Sequence, residues 1–212
     1  EKTGETDRER IVSETGRRFI VNLEAYLDTG LFLDHRNTRR VVGEHAAGKR
    51  FLNLFAYTCA FSVVAMKAGA RQVTNVDMSG GALGIGKQNH QLNGVGSGVS
   101  FLPHDIFKTW GKVTRSGPYD LIILDPPTYQ KGSFVAEKDY ARLMRRLPEL
   151  LMPGGHALLC LNSTKLGPAF LQDQMRELAP ELTFEQRLSN PSVFVDVSSE
   201  RSLKVLVYKA PD

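Results

Sequence analysis

Short apolar runs alternate with longer amphipathic segments along most of this chain. The short runs predict strands over residues 50–55, 72–76, 99–102, 119–124, 156–161, 182–188 and 203–208. The amphipathic segments predict helices over residues 61–67, 82–92, 137–151 and 169–178. Strands and helices that alternate in this way build an α/β doubly wound fold around a mostly parallel, seven-stranded sheet. No clear helix separates the last two strands, so we expect them to form an antiparallel pair.

The N-terminal segment has a different pattern. Residues 18–23 alternate loosely between apolar and polar side chains and predict a strand. A turn at Asp28-Thr29-Gly30, followed by the apolar residues 31–33, suggests that this strand belongs to a β-hairpin. Residues 34–46 predict a helix with Asp34 as its N-cap. We therefore expect an N-terminal extension of residues 1–48, a hairpin and a helix, packed on a main domain of residues 49–212.

The composition is that of a globular protein, since 42% of the 212 residues are apolar and 24% are charged. No apolar run is long enough to span a membrane and no apolar segment of a signal peptide is found, so we expect a cytoplasmic protein. Both cysteines, Cys59 and Cys160, lie in apolar segments and are expected to be reduced core thiols, and the scattered histidines predict no metal site. The net charge of +4 permits a nucleic-acid partner without establishing one.

The sequence Asp125-Pro126-Pro127-Thr128-Tyr129 directly follows the apolar strand predicted over residues 119–124. It therefore lies at the carboxyl end of a buried parallel strand, which is the edge where open α/β sheets bind ligands. The two prolines fix the backbone and remove two N–H donors, so the neighbouring carbonyl groups are held in place. A carboxylate, fixed carbonyl groups and an aromatic ring suit a flat heterocycle that carries N–H groups. Tyr129 has the alternative role of a packing residue.

The segment Asn53-Leu-Phe-Ala-Tyr-Thr-Cys-Ala60 connects the first strand of the main domain to its first helix. Nucleotide-binding folds carry a glycine-rich loop here, whereas this segment has no glycine that would let a pyrophosphate approach the backbone. NAD, FAD and ATP are therefore disfavoured as cofactors. S-adenosylmethionine has no phosphate and can use a looser loop, with N–H groups of the helix N-terminus meeting its carboxylate. An ordinary strand-to-helix connection is the alternative.

Two further acidic residues end neighbouring strands. Asp77 follows the second strand, about twenty residues after the first loop, where a carboxylate can accept hydrogen bonds from both hydroxyls of a ribose. Asp105 follows the third strand, where it can accept a hydrogen bond from an adenine amino group while an apolar neighbour covers the ring. Each has the simpler alternative role of a cap or turn residue, and Ser79 competes with Asp77 for that role. Together with Asp125, they give three carboxylates at one edge of the predicted sheet, which favours a binding site there.

Four segments together resemble class I S-adenosylmethionine-dependent rRNA methyltransferases, which have a Rossmann-like fold. They are Asn53-Leu-Phe-Ala-Tyr-Thr58, Val76-Asp77-Met78-Ser79, Asn89-His-Gln-Leu-Asn93-Gly94 and Asp125-Pro-Pro-Thr-Tyr129. The upstream segment Tyr26-Leu-Asp-Thr-Gly30-Leu-Phe-Leu-Asp34-His-Arg36 is similar to the hairpin-and-helix entry of bacterial 23S rRNA methyltransferases. The resemblance covers roughly residues 15–210 and is nearest to the guanine-N7 methyltransferase half of the bifunctional large-subunit enzyme.

This resemblance implies a function and a set of site residues. It implies transfer of a methyl group from S-adenosylmethionine to RNA, most directly to a guanine of 23S rRNA, with Asp77 holding the ribose and Asp105 the adenine. The implied cofactor residues are Asp34, Arg36, Asn53, Phe55, Tyr57, Thr58, Asp77, Met78, Asp105, Ile106 and Asp125. The residues implied to hold the target base and to act in catalysis are Asp125, Pro126, Pro127 and Tyr129.

One departure from the related cytosine-C5 methyltransferases bears on the acceptor atom. Those enzymes use a cysteine after the fifth strand to attack the base, and Ser163 stands at the corresponding position here. Cys160 is expected to point into the core. Transfer to a nitrogen therefore fits better than transfer to a carbon. The alternatives are methylation of a small molecule or a protein side chain, and a S-adenosylmethionine-binding module without catalysis.

Overall fold

The computed structural model describes residues 9–24, 29–194 and 198–212. The strands of this part are β1 (Glu9–Glu14), β2 (Arg17–Asn22), β3 (Arg50–Leu54), β4 (Gln72–Asp77), β5 (Val99–Pro103), β6 (Tyr119–Leu124), β7 (Tyr129–Gln130), β8 (Phe134–Val135), β9 (Leu151–Asn162), β10 (Thr183–Leu188) and β11 (Leu203–Lys209). The α-helices are α1 (Arg36–Glu44), α2 (Ala60–Lys67), α3 (Gly80–Leu92), α4 (Trp110–Ser116), α5 (Ala136–Met144), α6 (Leu147–Leu150) and α7 (Pro168–Leu178). The 3₁₀ turns Leu33–His35 and Ile106–Lys108 precede α1 and α4. Among the helices of the described ranges, none is long and apolar enough to cross a membrane.

Seven strands form one sheet in the order β10-β11-β9-β6-β3-β4-β5. Neighbours from β9 to β5 are parallel, whereas β11 runs antiparallel to both β9 and β10. The doubly wound, mostly parallel sheet and its final antiparallel pair are therefore confirmed. The chain moves outward from β3 through β4 to β5 and then returns to the other side of β3 as β6. The loops after β3 and β6 diverge as a result, which leaves a crevice where open α/β folds bind ligands.

Both faces of the sheet are buried, because its central strands are apolar on both sides. On one face, Ile122 packs in a cluster with Tyr140 of α5 and with residues of α4, α6 and α7. On the other face, Ile123 packs in a cluster with Val42 of α1 and Phe61 of α2. Each such side chain contributes about 1.5–3 kcal/mol through its removal from water. This two-sided burial explains the continuous apolar runs of β6 and β9, while β3 and β4 also bury the polar side chains of Asn53, Thr74 and Asn75.

An N-terminal β-hairpin is present, but its strands differ from the predicted ones. The predicted strand 18–23 matches β2, and its antiparallel partner is the upstream strand β1. Thr15 and Gly16 connect them with φ values of 47° and 77°, which suits the twist of a two-residue hairpin. The prediction that residues 31–33 form the second strand is wrong, because no strand is assigned there and residue 33 begins a 3₁₀ turn. Asp28, the first residue of the predicted turn, lies outside the described residues.

Two predicted helices have different ends in the structure. The helix predicted over residues 34–46 begins only at Arg36, and the prediction that Asp34 is its N-cap is wrong because His35 occupies that position. The helix predicted over residues 137–151 is divided into α5 and α6. Pro148 explains the division, since its ring would clash with the carbonyl of residue 144 in a continuous helix. α5 ends at that residue.

Strand β9 starts five residues earlier than predicted. The sequence Pro153-Gly154-Gly155 suggests a stop before a strand at 156–161, yet β9 runs through it from Leu151. The pairing with β6 shifts in this region, which marks an irregularity that accommodates the three residues. At Gly155, a Cβ atom would lie 2.8 Å from the carbonyl oxygen of Met152. The backbone can therefore pass here only with glycine.

Two asparagines of α3 fasten the hairpin to the main domain. Asn89 Oδ1 accepts a hydrogen bond from the Ile20 N–H at 2.8 Å, and Asn93 Oδ1 accepts one from the Arg18 N–H at 2.9 Å. The Asn93 Nδ2 also donates to the Arg18 carbonyl at 2.7 Å. Residues four apart share a helix face, so both side-chain amides reach β2. They bond to backbone groups of β2 that a neighbouring strand would otherwise pair with. The domain boundary near residue 48 stays a prediction.

Candidate functional site

A cleft of about 470 Å³ lies at the carboxyl edge of the sheet, between the loops that follow β3 and β6. Its walls include Asp77 at the end of β4, Asp125 just after β6, and Asp34 from the turn before α1. Asp105, which follows β5, lies in a narrower slot that adjoins this cleft, since Asp77 and Met78 line both. The three strand-end carboxylates are thus brought to one edge, as the sequence predicts.

The loop after β3 has the backbone conformation of a glycine-rich loop although it contains no glycine. Phe55, Tyr57 and Cys59 have φ values of 59°, 47° and 62°, all in the left-handed region. A residue other than glycine in this region costs on the order of 1–3 kcal/mol, so neighbouring contacts must hold the loop. Three positive φ values therefore occur in a segment without glycine.

Contacts from the N-terminal segment and from α3 hold this loop. The Thr58 hydroxyl donates a hydrogen bond to the Gly30 carbonyl at 2.6 Å, and the Asn89 Nδ2 donates to the Thr58 carbonyl at 3.1 Å. Cys59 packs directly against Gly86 of α3, where an added Cβ atom would lie 2.5 Å from the Cys59 sulfur. The strained loop is therefore fixed from two sides.

Asp77 connects this loop to the start of α3. Its Oδ2 accepts a hydrogen bond from the Tyr57 N–H at 2.8 Å, and its Oδ1 accepts one from the Ser79 N–H at 2.8 Å. The N-cap of α3 is Ser79, whose hydroxyl accepts from the Ala82 N–H at 3.1 Å, so Asp77 does not have the alternative role of a cap. Each carboxylate oxygen keeps a further lone pair, which suits the two hydroxyls of a ribose.

The adjoining slot combines one carboxylate with aromatic walls. Asp105 Oδ1 accepts a hydrogen bond from the Phe107 N–H at 2.9 Å, so it acts as a turn residue and still presents a carboxylate to the slot. Ile106 is buried beside it. Phe55 and Phe134 form another wall, with ring centroids 5.3 Å apart in an edge-to-face arrangement. An acceptor beside apolar rings suits adenine, which has an exocyclic amino group and a flat apolar face.

Asp125 is paired with a buried histidine that the sequence analysis missed. The Nε2 of His35 lies 3.1 Å from Asp125 Oδ2, and the two side chains are 5% and 22% exposed. Burial lowers the pKa of His35, but the charge and hydrogen bond of Asp125 outweigh this and raise it above its usual value. The only sequence signal for His35 is its place between Asp34 and Arg36 in the motif quoted above.

Cys160 completes the surroundings of this pair. Potential ligand atoms of His35, Asp125 and Cys160 all lie within 4.8 Å of one another. Burial raises the pKa of the Cys160 thiol well above its usual value, and the charges of Asp125 and Asp34 raise it further. The thiol form is a poor nucleophile and a poor metal ligand. Cys160 thus has the environment of a core thiol, and the lack of a metal site stays a prediction.

The segment after Asp125 forms part of the wall of the cleft. Pro126, Pro127 and Tyr129 all line the cleft. The Thr128 hydroxyl donates a hydrogen bond to the Asn162 carbonyl, which anchors the segment to the end of β9. Tyr129 is 67% exposed, so its ring is not a core packing residue. It is instead accessible at the cleft for contact with a ligand.

Two of the predicted cofactor residues, Arg36 and Asn53, do not line the cleft. The Arg36 Nε lies 3.3 Å from Glu14 Oε2, and the buried Asn53 donates from Nδ2 to Asn75 Oδ1 at 2.9 Å. Cofactor binding by these two residues stays a prediction. The other predicted site residues line the cleft or the slot, and they are Asp34, Phe55, Tyr57, Thr58, Asp77, Met78, Asp105, Ile106, Asp125, Pro126, Pro127 and Tyr129.

The fold and the site define a class of protein, and comparison with known families agrees. A sequence model of the S-adenosylmethionine-dependent methyltransferase family matches residues 2–209. The chain belongs to this family, and S-adenosylmethionine is its cofactor, as predicted. The lining is compatible with this cofactor, because Asp77 and Asp105 each present a carboxylate to the cleft or to its adjoining slot.

Several relatives have names that refer to ribosomal RNA. The chain is 42% identical to the ribosomal RNA large subunit methyltransferase K/L of Shewanella loihica over 171 residues, which are 78% of this chain and 24% of that protein. It is 47% identical to the K/L protein of Vibrio campbellii over 161 residues, or 73% of this chain and 22% of that protein. It is 42% identical to the methyltransferase K of Neisseria meningitidis serogroup B over 165 residues, or 73% of this chain and 46% of that protein. The chain therefore spans at most about half the length of these relatives.

Solved structures support the same fold. SMU.776, described as a methyltransferase and crystallised with SAH, aligns with a TM-score of 0.89 and 31% identity over 98% of this chain and 57% of its own. A SAM-dependent methyltransferase from Streptococcus mutans aligns with a TM-score of 0.88 and 30% identity over the same shares of the two chains. The Rossmann-like methyltransferase fold with its N-terminal hairpin is thus confirmed.

Proposed function

We propose that this chain transfers the methyl group of S-adenosylmethionine to a nitrogen of an RNA base, with a guanine of large-subunit rRNA as the favoured substrate. The observation that carries this proposal is that one cleft is lined by Asp77 and Met78 and also by Asp125 and Tyr129. The names of the relatives support an rRNA substrate. A cytoplasmic location, as expected from the sequence, is part of this proposal.

The proposed roles follow from the chemistry of the lining residues. S-adenosylmethionine supplies a methyl group bonded to a sulfonium, so that the protein has mainly to position the two reactants. Asp77 binds the ribose and Asp105 the adenine amino group, which fixes the cofactor along the strand ends. Asp125 and the carbonyl groups beside the two prolines accept hydrogen bonds from the base, and Tyr129 stacks on it. A base within a duplex has to be flipped out to reach this site.

A nitrogen acceptor is favoured because the cleft offers no thiolate for attack on a carbon. Cys59 and Cys160 are the two cysteines of the sequence, and both are buried. Ser163, at the position of the nucleophile in the C5 enzymes, is buried and accepts hydrogen bonds from the Lys165 N–H at 3.2 Å and the Leu166 N–H at 3.1 Å. Its hydroxyl is thus engaged in a turn and is not available as a nucleophile.

Binding of the cofactor is tested first, by calorimetric titration with S-adenosylmethionine and with NAD as control. We expect the wild-type protein to bind the former alone. Asp77→Ala is expected to weaken the binding at least about tenfold, which is the loss of one hydrogen-bonding charge worth about 1.4 kcal/mol or more. Asp173→Ala is the matched control, because Asp173 is exposed on α7. Equal affinities of all three proteins would contradict the role of Asp77.

The substrate is tested by transfer of a labelled methyl group to purified 23S rRNA, 16S rRNA and a protein extract. We expect label in 23S rRNA, found after digestion as an N-methylated guanosine, and loss of transfer on raising the salt concentration, since contacts to phosphates weaken with salt. Label in protein or in a small molecule would support the alternative substrates. Binding of S-adenosylmethionine without transfer to any acceptor would identify a non-catalytic module.

A further inference from the structure

His35 has no role in the function proposed so far, although it is the direct partner of Asp125. We propose that His35 is a positioning residue for methyl transfer, which holds Oδ2 of Asp125 so that Oδ1 is left to receive the target base. This inference rests on the proposed function and names one more residue on which it depends.

The geometry of the His35–Asp125 pair supports this role. The Nε2 of His35 lies 3.1 Å from Asp125 Oδ2. Of the contacts between described residues, this is the one hydrogen bond or ion pair of the Asp125 carboxylate, so Oδ1 keeps its capacity to accept. Both side chains line the cleft, and the carboxylate is 22% exposed whereas the imidazole is only 5% exposed. The histidine therefore supports the carboxylate from a largely buried position and leaves the other carboxylate oxygen to a ligand.

The packing and hydrogen bonding of the His35 imidazole support the same role. Its ring meets the ring of Phe61 edge to face, with centroids 5.2 Å apart. Its Nδ1 is buried and has no hydrogen-bond partner among the described residues. Within the part of the chain that the structure describes, the one hydrogen bond of this ring is thus the contact with Asp125. Burial of a histidine with a single partner costs stability, which favours a role in orienting the carboxylate over a role in holding the fold.

The charged groups around the His35–Asp125 pair favour a hydrogen bond between the two side chains. Asp125 faces His35 from the end of β6, Asp34 lies next to it in the same turn, and Arg39 lies on α1. Cys160 of β9 and Tyr140 of α5, whose hydroxyl donates to the Cys160 carbonyl at 2.8 Å, are both neutral because burial raises their pKa values. Two carboxylates therefore outnumber one guanidinium around the imidazole. This charge balance favours the imidazolium and a strong hydrogen bond to Asp125.

Positioning is the contribution that this reaction requires. The bond from the methyl carbon to sulfur breaks as the bond to the base nitrogen forms, and sulfur keeps the electron pair of the broken bond. When the acceptor is a ring nitrogen with a free lone pair, no proton has to be removed. The rate then depends on how well the base is aligned, and a misplacement of about 1 Å costs on the order of 100-fold. A carboxylate free to rotate loses that alignment.

The test compares His35→Leu with His35→Gln, because a glutamine amide can donate from nearly the position of Nε2 and leucine cannot. We expect His35→Leu to lower kcat on 23S rRNA by about 10- to 100-fold, with the KM for S-adenosylmethionine changed less than about twofold. His35→Gln is expected to recover most of the loss. Equal kcat values for all three proteins would overturn the inference, and so would a loss in His35→Leu that appears only in the KM for the cofactor.

A second measurement needs neither substrate nor turnover. The imidazole of His35 is titrated by NMR in the wild-type protein and in Asp125→Asn. We expect a pKa above that of an ordinary histidine in the wild type and a lower pKa in the variant, whereas equal values would show that the two side chains do not interact. If wild-type protein transfers no methyl group to rRNA, the proposed function fails. If the wild type is active and His35→Leu is equally active, only the role of His35 fails.

Discussion

The strained loop after β3 leads to a prediction about one glycine of α3. Gly86 faces Cys59, which has a φ of 62° and is buried against the helix. A Cβ atom at Gly86 would lie 2.5 Å from the Cys59 sulfur and 3.1 Å from its Cβ. The first distance is shorter than any normal contact, so Gly86→Ala must displace either the helix or the loop. Overpacking of this kind costs about 1–3 kcal/mol.

Gly84 in the same helix provides the control. An added Cβ atom at Gly84 meets nothing within 4 Å. Gly84→Ala is therefore expected to stabilise the protein by about 0.5–1 kcal/mol, since glycine is unfavourable inside a helix. The two variants make the same chemical change two residues apart, and their free energies of unfolding should differ by about 1–3 kcal/mol. That difference measures the contact with Cys59, because the helix propensity cancels.

The assay is thermal or urea unfolding of both variants and of the double variant Cys59→Gly/Gly86→Ala. In a chain of this size, 1 kcal/mol corresponds to about 2–4 °C in Tm. Glycine at residue 59 removes the sulfur and accepts the left-handed backbone, so it should restore most of the stability that Gly86→Ala loses. Displacement of the loop would alter the wall of the cleft, so the affinity of Gly86→Ala for S-adenosylmethionine should fall while that of Gly84→Ala is unchanged. Equal stability of the two alanine variants would refute the packing described here.

Two other contacts of the N-terminal segment give further predictions. Glu14→Ala should destabilise the protein by about 3–5 kcal/mol, because the Glu14–Arg39 pair is buried with hydrogen bonds of 2.6 and 2.9 Å. As a control, Glu44→Ala should change stability by less than about 1 kcal/mol, because the Arg40–Glu44 pair is exposed. Burial raises the pKa of Glu14, but Arg39 lowers it more. The stability from this pair is therefore present above the ordinary pKa of glutamate and is lost as the pH falls through the lowered value. Urea unfolding of the wild type and of Glu14→Ala at several pH values measures this loss. Asn93→Ala should cost about 1–3 kcal/mol and increase hydrogen exchange at the Arg18 amide, and unchanged exchange there would contradict the bond to Asn93.

The main sheet was predictable because its signals are local. Strands β6 and β9 contain continuous apolar runs, Asp77 and Asp125 stand directly after predicted strands, and Asp105 stands three residues after the strand predicted over residues 99–102. Parallel strands bring their carboxyl ends to one edge, so a linear series of acidic residues becomes a cluster in space. That inference needs the order of the elements and does not need the packing between them.

The hairpin and the pair His35–Asp125 were not predictable in the same way. β1 has a burial pattern that is mostly exposed, so its sequence lacks the alternation by which a strand is recognised. His35 and Asp125 are 90 positions apart, and their contact depends on how the turn before α1 packs beneath β6. A single sequence carries no local signal for such a contact.

The absence of glycine from the loop after β3 disfavours cofactors with phosphates and so favours S-adenosylmethionine. The loop nevertheless has the positive φ angles that glycine usually provides. Glycine has two effects in nucleotide-binding loops, since it permits a positive φ and leaves space for a phosphate beside the backbone. In this chain Phe55, Tyr57 and Cys59 keep the positive φ, because the contacts of Thr58 and Gly86 hold the loop. The side chains of Phe55 and Tyr57 line the cleft, whereas that of Cys59 packs against α3. None of these residues permits the close approach to the backbone that glycine gives a pyrophosphate, and a cofactor without phosphates does not need that approach.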